Sequence, residues 1–312
     1  MIDNKARNKK NSANLWIAGY GDIGRRVASL YQKQGIQTSA TVGSKESLQV
    51  LSDCKETVIR MNLDEKKCSG VLHVKSALQK TPASIFYFIP PPSQGKQDSR
   101  LSRFLEELGE LPERIVLIST TGVYGDCNGA WVNETDETKP VADRAIRRAH
   151  AEQLLQSWAE RYKRNYVILR VPGIYAADRL PVSRVKKGLP IVNRTESPWT
   201  NRIHADDLAM ACYLAMQKGI ENEIINISDG NPSTMTDYFN QVADFANLPR
   251  PPQISLQRAQ QELSQGMLSY LRESRRVSNR KMLELLGISL RYPSLADGLK
   301  KNHKSPLFSD KT

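Results

Sequence analysis

Residues 15–24 read LWIAGYGDIG, in which a short apolar run is followed by glycines at positions 19, 21 and 24. A run of this length is typical of a buried strand, and the apolar residues from Ile23 to Tyr31 follow the spacing of an amphipathic helix. In such a setting one glycine permits a tight turn, the next lets the backbone approach a pyrophosphate, and the third lets helix and strand pack closely. The pattern therefore predicts a dinucleotide site at Gly19, Gly21 and Gly24, the alternative being a purely structural glycine turn.

Strands and helices alternate from this point to residue 171. Apolar runs typical of buried strands cover residues 38–42, 57–61, 85–89, 115–119 and 166–171. Between them, apolar residues at helical spacing predict helices near residues 71–78, 101–108 and 154–162. Near-continuously apolar strands that alternate with helices are typical of a parallel sheet covered on both faces. We therefore expect an α/β fold.

The regular alternation ends after residue 172. Helices are expected near residues 206–216, 236–246, 257–271 and 280–286, with a strand at 223–227. We interpret this part as a smaller region that is interleaved with the sheet. The predicted organisation is a disordered basic N-terminus (1–13), a dinucleotide-binding domain (14–175), a smaller C-terminal region (176–302) and a flexible tail (303–312).

Charge is unevenly distributed along the 312 residues, which carry 45 basic and 33 acidic side chains. Residues 143–312 hold 26 of the basic and 17 of the acidic side chains, so the excess of positive charge lies mainly in the second half. Three interpretations stay open: a solvated basic surface, a site for an anionic substrate or a cofactor phosphate, and a nucleic-acid surface. The last is not favoured, because no zinc-finger, RNA-recognition or basic-zipper pattern is present.

Several other classes of protein are not favoured. No apolar run approaches the ~20 residues of a membrane helix, and no apolar segment follows the basic start as in a secretory signal. The cysteines Cys54, Cys68, Cys127 and Cys212 form no CxxC pair, and the four histidines show no ligand spacing. The sequence thus predicts a protein of the reducing cytoplasm without disulfides, a metal site or a membrane association.

The residues after the second predicted strand bear on cofactor choice. Sites selective for NAD commonly place a carboxylate there to bind the ribose 2′-hydroxyl, whereas a 2′-phosphate requires neutral or basic groups. Here the strand is followed by Ser44 and Lys45, and the first acidic residue is Glu46. NADP is therefore the preferred cofactor, with NAD as the alternative.

Further motifs follow the glycine loop in a fixed order: ISTTGVYG (118–125), LRVPGIY (169–175), NRIHADDLA (201–209), NISD (226–229) and YPS (292–294). In this order and spacing the chain resembles the extended short-chain dehydrogenase/reductase superfamily, the NAD(P)-dependent epimerase/dehydratase proteins, over roughly residues 14–300. The resemblance implies a Rossmann-type doubly wound parallel sheet with a small C-terminal substrate-binding region. It also implies roles for a set of residues in holding the cofactor: Gly19, Gly21, Asp22, Ile23 and Gly24 at the pyrophosphate, Asn62 and Leu63 beside the adenine, Ile89 and Pro90 in the cleft, and Pro172, Gly173 and Ile174 near the nicotinamide. Ser44 and Lys45 join this set as the groups that fit a 2′-phosphate.

The predicted catalytic residues depart from the family pattern. Thr120 matches the family's Ser/Thr, whose hydroxyl binds the reacting oxygen, although capping of the strand end is an alternative role. The family's base is a tyrosine with a lysine four residues later, and alignment on Glu152 puts Arg144 and Arg148 at those positions. An arginine keeps its proton and cannot act as a general base. Asp98 approximates the position of the family's active-site asparagine.

Two functions are therefore compatible with the sequence. The first is an NAD(P)-dependent oxidoreductase or epimerase/dehydratase that acts on a small carbonyl or hydroxyl compound, with Asp98, Tyr124, Tyr175 or a water as its acid/base group. An anionic compound is one candidate for this substrate. Arg144 and Arg148 would bind an anion of that substrate, and Arg202 is a further candidate contact. The second is a non-catalytic NAD(P)-binding regulator or scaffold, which the missing Tyr–Lys pair favours. A homodimer is compatible with either.

Overall fold

The computed structural model describes residues 14–51, 54, 56–81 and 83–300. The N-terminal segment 1–13 and the tail 303–312, for which disorder and flexibility are predicted, lie outside these residues.

A seven-stranded parallel sheet forms the centre of the molecule. Its strands lie in the order β3-β2-β1-β4-β5-β7-β12, and every neighbouring pair is parallel. The direction in which successive strands are added to the sheet reverses between β1 and β4. In open α/β sheets, ligands bind at such a reversal, at the carboxyl ends of the strands. These strands are β1 (Asn14–Ala18), β2 (Ser39–Val42), β3 (Thr57–Arg60), β4 (Ala83–Tyr87), β5 (Pro112–Thr120), β7 (Asn165–Val171) and β12 (Glu223–Asn226).

Helices cover both faces of the sheet because the strands are apolar on both sides. On one face Ile17, Phe86 and Val116 are fully buried against α1 and α7. On the other face Ile85 and Leu117 are fully buried against α3, α4 and α5. The Rossmann-type doubly wound fold that the sequence predicts is thereby confirmed. The helices are α1 (Asp22–Lys33), α2 (Lys45–Val50), α3 (Ser69–Lys80), α4 (Ser99–Leu108), α5 (Asp143–Tyr162) and α7 (Ala205–Gln217).

The C-terminal part supplies short elements above the carboxyl edge of the sheet. Two-residue and three-residue strands pair as β6–β15, β8–β11, β9–β14 and β10–β13, and β12 returns to the edge of the central sheet beside β7. The remaining strands and α-helices of the described residues are β6 (Trp131–Val132), β8 (Gly173–Tyr175), α6 (Val182–Lys186), β9 (Ile191–Val192), β10 (Trp199–Thr200), β11 (Arg202–His204), β13 (Ser233–Thr234), α8 (Met235–Phe245), β14 (Gln253–Ile254), α9 (Leu256–Glu262), α10 (Gln265–Leu271), β15 (Arg276–Val277), α11 (Arg280–Leu286) and α12 (Leu295–Gly298).

Two local expectations were incomplete. The single helix expected over residues 257–271 is two helices, because Ser264 interrupts it and its hydroxyl caps α10 by accepting from the Met267 backbone N–H at 3.3 Å. The sequence also gave no sign of α2, a six-residue helix with no buried residue. A helix without an apolar face has no periodic signal to detect.

Candidate functional site

The turn after β1 requires glycine at two positions. Gly19 has a φ of +100°, and a Cβ atom on it would lie 2.9 Å from the Ile89 backbone nitrogen. A Cβ atom on Gly24 would lie 2.7 Å from the Gly19 carbonyl oxygen. These glycines therefore bring the turn, α1 and the end of β4 into contact, as their spacing predicts.

Gly21 has a different environment. A Cβ atom on it would meet nothing within 4 Å, and it caps α1 without any side-chain hydrogen bond to the first helical N–H groups. N–H groups that lack a side-chain cap at a helix start, beside open space, fit a pyrophosphate. The surroundings of Gly21 thus suit the phosphate end of a dinucleotide.

Asp22, predicted to contact the cofactor, has its carboxylate engaged by two arginines. Arg26, one turn later on α1, donates to it at 3.0 Å, and Arg179 reaches it at 2.6 Å from the segment before α6. Arg26 is buried and also pairs with Asp206 at the start of α7. Asp22 therefore links α1 to the C-terminal part of the chain.

A cavity of about 350 Å³ opens beside this turn, at the carboxyl ends of β1 to β4. We call it the glycine-loop cavity. It is lined by Gly19, Thr41, Gly43, Ser44, Ser47, Met61, Asn62, Leu63, Ile89, Pro90 and Arg100. Six of these belong to the fourteen residues predicted to hold the cofactor: Gly19, Ser44, Asn62, Leu63, Ile89 and Pro90. Of the other eight, Pro172, Gly173 and Ile174 line a second cavity, and neither cavity lining includes Gly21, Asp22, Ile23, Gly24 or Lys45. The position of the glycine-loop cavity at the reversal of strand order is where a dinucleotide is expected to bind.

Arg100 is the charged residue in this lining that sequence analysis missed. It makes a two-point ion pair with Asp64, at 2.8 and 2.5 Å, and donates to the Pro90 carbonyl at 2.9 Å. That pairing holds the pKa of Asp64 below its usual value. Arg100 starts a helix far from the other motifs, so no local pattern marks it.

Beside the end of β2, the glycine-loop cavity has Ser44 in its lining, and the lining contains no carboxylate. The Ser44 hydroxyl accepts from the Ser47 backbone N–H at 3.1 Å and so caps α2. Lys45 and Glu46 follow on exposed positions of α2 and do not belong to the cavity lining. Hydrogen bonds at the helix start lower the pKa of Glu46.

A second cavity, of about 520 Å³, lies beyond the ends of β5 and β7. We call it the arginine cavity because Arg144, Arg148, Arg202 and Arg275 line it, with Glu273 as the carboxylate among its lining residues. It brings together Thr120, Arg144, Arg148 and Pro172–Ile174, which the sequence had placed at the reaction centre. The remaining wall is largely apolar and aromatic, and it includes Trp199, Met235, Tyr238, Phe239, Met267 and Tyr270.

Thr120 ends β5 at this cavity. Its Oγ1 accepts from the Gly122 backbone N–H at 3.1 Å, so it caps the 3-10 turn Thr121–Tyr124. The capping role considered for this position is thus present in the structure. The hydroxyl proton of Thr120 is still available for donation to a ligand, because the hydroxyl accepts in this bond.

Arg144 and Arg148 lie one turn apart on α5. Arg144 donates to Ser269 Oγ at 2.8 Å, lies 3.6 Å from Glu273 and stacks on the Tyr270 ring with its Cζ 4.2 Å from the ring centroid. Arg148 has no hydrogen bond or ion pair to any part of the chain that the structure describes, and its Nη1 atom is shielded from solvent. Both arginines therefore line the same wall of the cavity, but the side chain of Arg144 is held by contacts with the protein and that of Arg148 is not.

Asp98 does not line the arginine cavity. It is fully buried before α4, where its Oδ1 accepts from the Leu101 backbone N–H at 3.0 Å. Its backbone N–H donates to His150 Nδ1 at 3.1 Å, while its Oδ2 lacks a partner among the described residues. Burial raises the pKa of Asp98, an effect that the Leu101 hydrogen bond and Arg148 oppose.

The tyrosines considered as acid/base groups are buried away from the cavity. Tyr124 donates to Asn226 Oδ1 at 2.9 Å and accepts from Arg170 Nη1 at 3.0 Å. Tyr175 donates to the Ser294 carbonyl oxygen at 3.0 Å. Burial raises the pKa of both phenols, so neither is suited to act as a base near neutral pH.

His204 and Cys127 have no place in either cavity lining. The Nδ1 atom of His204 accepts from the Asp206 backbone N–H at 3.1 Å and caps α7, and burial lowers the pKa of His204 to about 4. Burial raises the pKa of Cys127. Within the described ranges, no group of three or more His, Cys, Asp or Glu side chains could hold a metal ion, and no helix is long and apolar enough to cross a bilayer.

The remaining cavity residues were missed because they come from distant segments. Arg275 and Glu273 lie about 130 residues after Arg144 in the chain and pair with each other at 3.0 Å. Arg202 was noticed only as a candidate contact for an anion. The only sequence signal for these residues was the surplus of basic side chains in residues 143–312. That surplus did not show which individual arginines would line a cavity.

Comparison with known proteins is consistent with this geometry. A sequence model of the NAD dependent epimerase/dehydratase family matches residues 17–228. The dTDP-D-glucose 4,6-dehydratase of Bos taurus is 28% identical over 123 residues, which are 37% of this chain and 35% of the relative. The match thus spans about a third of the length of this curated relative.

Solved structures share the fold over nearly the whole chain. A functionally unknown conserved protein from Silicibacter pomeroyi is 25% identical, with a TM-score of 0.77. The UDP-glucose 4-epimerase of Thermotoga maritima, solved with UDP-glucose, is 19% identical with a TM-score of 0.73, and the UDP-glucuronic acid 4-epimerase of Bacillus cereus, solved with NAD, is 17% identical with a TM-score of 0.71. Each comparison covers 92% of this chain and 96% of the other. The chain belongs to the NAD-dependent epimerase/dehydratase family, and its cofactor is NAD or NADP.

Proposed function

We propose that this member of the epimerase/dehydratase family is an NAD(P)-dependent oxidoreductase that acts on a small anionic carbonyl or hydroxyl compound, with an acid/base group other than the family's Tyr–Lys pair. The observation that carries the proposal is the arginine cavity, where four guanidinium groups and one carboxylate lie beside Thr120 and Pro172–Ile174. Such a surplus of positive charge in a partly enclosed space favours an anionic ligand.

The glycine-loop cavity fits the cofactor. The N–H groups at the start of α1 and the open space at Gly21 would hold the pyrophosphate, and Asn62, Leu63, Ile89 and Pro90 would hold the adenosine half. The nicotinamide, when bound, supplies hydride transfer at its C4 carbon. Pro172–Ile174, which line the arginine cavity, are the residues proposed to lie next to that ring.

We further propose a preference for NADP. The end of β2 carries no carboxylate that would repel a 2′-phosphate, and the Ser44 hydroxyl lines the cavity. Lys45 is exposed one residue later, where its flexible ammonium can approach a phosphate from solvent. The proposal depends on both side chains.

The proton for carbonyl reduction needs a donor at the carbonyl oxygen. Tyr124 and Tyr175 are hydrogen-bonded elsewhere, and Asp98 does not reach the cavity, so we propose a solvent water as the donor. Thr120 would stabilise the oxygen while it carries negative charge, within the positively charged arginine cavity. Dehydration also requires a base that removes a proton from carbon, so simple reduction or oxidation is favoured over dehydration.

A non-catalytic NAD(P)-binding protein is the second candidate. The arginine at the position of the family's tyrosine supports it, because an arginine cannot exchange a proton with a substrate. Such a protein would bind the cofactor and an anion without turning either over.

Turnover assays separate these candidates. The full-length protein is mixed with NADPH and a panel of 2-oxo acids of increasing size, each beside its methyl ester, and NADPH oxidation is followed. The oxidoreductase proposal predicts faster oxidation with at least one acid than with its ester. Binding of NADPH and an acid without oxidation of NADPH, across the panel, would favour the non-catalytic candidate.

A further inference from the structure

The guanidinium groups of the arginine cavity differ in how far the protein itself satisfies them. Arg144 donates to Ser269 Oγ at 2.8 Å, lies 3.6 Å from Glu273 and stacks on Tyr270. Arg275 pairs with the same Glu273 at 3.0 Å. Glu273 is buried, so its carboxylate is held between two arginines. These contacts tie α5 to the segment 269–275 and build one wall of the cavity.

Arg202 is also engaged. It donates to the Asn201 carbonyl oxygen at 2.8 Å, and its Cζ lies 4.0 Å from the centre of the Tyr238 ring. Stacking on an aromatic face is a favourable position for a guanidinium, since the ring quadrupole attracts the charge.

Arg148 stands apart from these three arginines. Among the residues that the structure describes it has no hydrogen-bond or ion-pair partner, and its Nη1 atom is shielded from solvent. Glu152, one turn further along α5, is bound to Arg170 at 2.8 Å. Asp98 acts on Arg148 only at longer range, with no ion pair between them, and burial disfavours the charge of Asp98 itself.

An arginine cannot discharge itself by losing its proton, so a guanidinium nitrogen that is shielded from solvent and has no partner, such as Nη1 of the half-buried Arg148, is costly. An anion from outside the chain would supply the missing partner of Arg148. This arginine lines the cavity together with Thr120, whose hydroxyl proton is available, and α5 packs against the 3-10 turn that Thr120 caps. A charged donor and a neutral donor thus face the same space.

We propose that Arg148, and not Arg144, binds the oxyanion of the substrate, a carboxylate or phosphate group, with Thr120 as the neighbouring donor. Arg144 instead holds the wall formed by residues 269–275. This inference rests on the proposed function, because it assigns the anion of that substrate to one residue of the same cavity.

Calorimetric titration of full-length protein saturated with NADP⁺ tests the assignment. Saturation keeps the probe anion out of the pyrophosphate position. Oxalate and inorganic phosphate are titrated separately, which shows whether a carboxylate or a phosphate is preferred. The wild type is compared with Arg148→Gln, Arg148→Lys and the matched control Arg144→Gln.

We expect Arg148→Gln to weaken binding of the preferred anion by roughly tenfold or more, the scale of a lost charged hydrogen bond. Arg148→Lys should retain part of the affinity because the charge remains. Arg144→Gln should change the affinity by less than about threefold, since its contacts are to the protein. Thermal unfolding supplies a readout independent of binding: without ligand, Arg148→Gln should unfold at the same or a higher temperature than the wild type, whereas Arg144→Gln should unfold at a lower one.

Three results would overturn the inference. Loss of anion binding in Arg144→Gln but not in Arg148→Gln would assign the anion to the other arginine. A large fall in the unfolding temperature of Arg148→Gln would make Arg148 a structural residue. Failure of the NADP⁺-saturated wild type to bind either anion would contradict the proposed function as well, because no anionic substrate would then be bound. The first two results would contradict only the assignment to Arg148.

Discussion

The glycine-loop cavity and the arginine cavity are built in opposite ways. The first lies at strand ends that are contiguous in the sheet, is shaped largely by backbone, and contains one arginine that is fully paired with Asp64. The second is assembled from side chains of segments that are spread over residues 91–275 of the chain. Its four arginines face a single carboxylate in the lining, that of Glu273, so their positive charge is only partly balanced. The difference teaches that two neighbouring cavities of one protein can be limited by different things: the glycine-loop cavity by the space around its backbone, and the arginine cavity by the charge of its side chains. On the proposed function, the glycine-loop cavity would hold the cofactor, while the arginine cavity would hold the substrate with arginines in place of the family's Tyr–Lys pair.

The two cavities should therefore respond differently to substitution. Changes in the glycine loop should act through backbone space, as loss of folding or of cofactor binding. Changes around the arginine cavity should act through charge, as effects that depend on pH and salt.

The largest effect is expected for Gly19→Ala. The new Cβ atom would lie 2.9 Å from the Ile89 nitrogen in a backbone with φ of +100°. Strain and overlap together should destabilise the fold by about 3 kcal/mol or more. Chemical denaturation measures this, with Gly21→Ala as the matched control because its Cβ meets nothing within 4 Å. Equal stability of the two variants would contradict the reported approach of the turn to β4.

Gly21→Val should separate binding from folding. The side chain would fill the open space beside the start of α1, so we expect NADPH affinity to fall by roughly a hundredfold. The unfolding temperature of the cofactor-free protein should stay close to that of the wild type. Unchanged NADPH binding in this variant would mean that the dinucleotide is bound elsewhere.

Asp229→Asn should show what it costs to bury a carboxylate next to Arg202, whose side chain lines the arginine cavity. Asp229 is buried, its backbone N–H donates to the Arg202 carbonyl oxygen at 2.9 Å, and burial raises its pKa to about 7, with Arg202 opposing and Asp207 adding to the shift. The unfolded chain ionises this group near its ordinary pKa of about 3.9, so the wild type loses stability as the pH rises from about 4 to 7.

The asparagine cannot ionise and escapes this loss. We expect Asp229→Asn to be about as stable as the wild type at pH 4 and more stable at pH 8, by on the order of 2 kcal/mol. Unfolding temperatures of both proteins across this pH range supply the measurement. A difference that is independent of pH would show that Asp229 ionises normally.

The smallest effect is expected for Lys45→Ala. If the ammonium contacts a 2′-phosphate from its exposed position, NADPH should bind the wild type more tightly than NADH by roughly tenfold, and the variant should narrow that ratio. Glu46→Gln, the next residue on α2, is the control, and its loss of negative charge should not narrow the ratio. Tighter binding of NADH by the wild type would contradict the proposed preference.

The contrast between the cavities also explains what could be predicted from the sequence. Gly19, Gly21 and Gly24 act through their own backbone, so the local pattern was sufficient to identify the turn, and apolar runs were sufficient for the sheet. Arg148 was found through alignment on Glu152. Glu273 and Arg275 reach the cavity only through the packing of the C-terminal part, and no spacing in the sequence reports such contacts. Asp98 illustrates the same difficulty of predicting distant packing. Its position before α4 did not show that its carboxylate is buried outside the lining of the arginine cavity.

The central claim is that the arginine cavity of the cofactor-bound protein selects a small anionic compound. It is tested most directly by the affinities of NADP⁺-saturated wild type for phenylpyruvate and for its methyl ester, which differ in one charge, measured at low and high salt. The account predicts that the acid binds more tightly by roughly tenfold or more at low salt, with a smaller advantage at high salt. Equal affinity for the acid and the ester would contradict it.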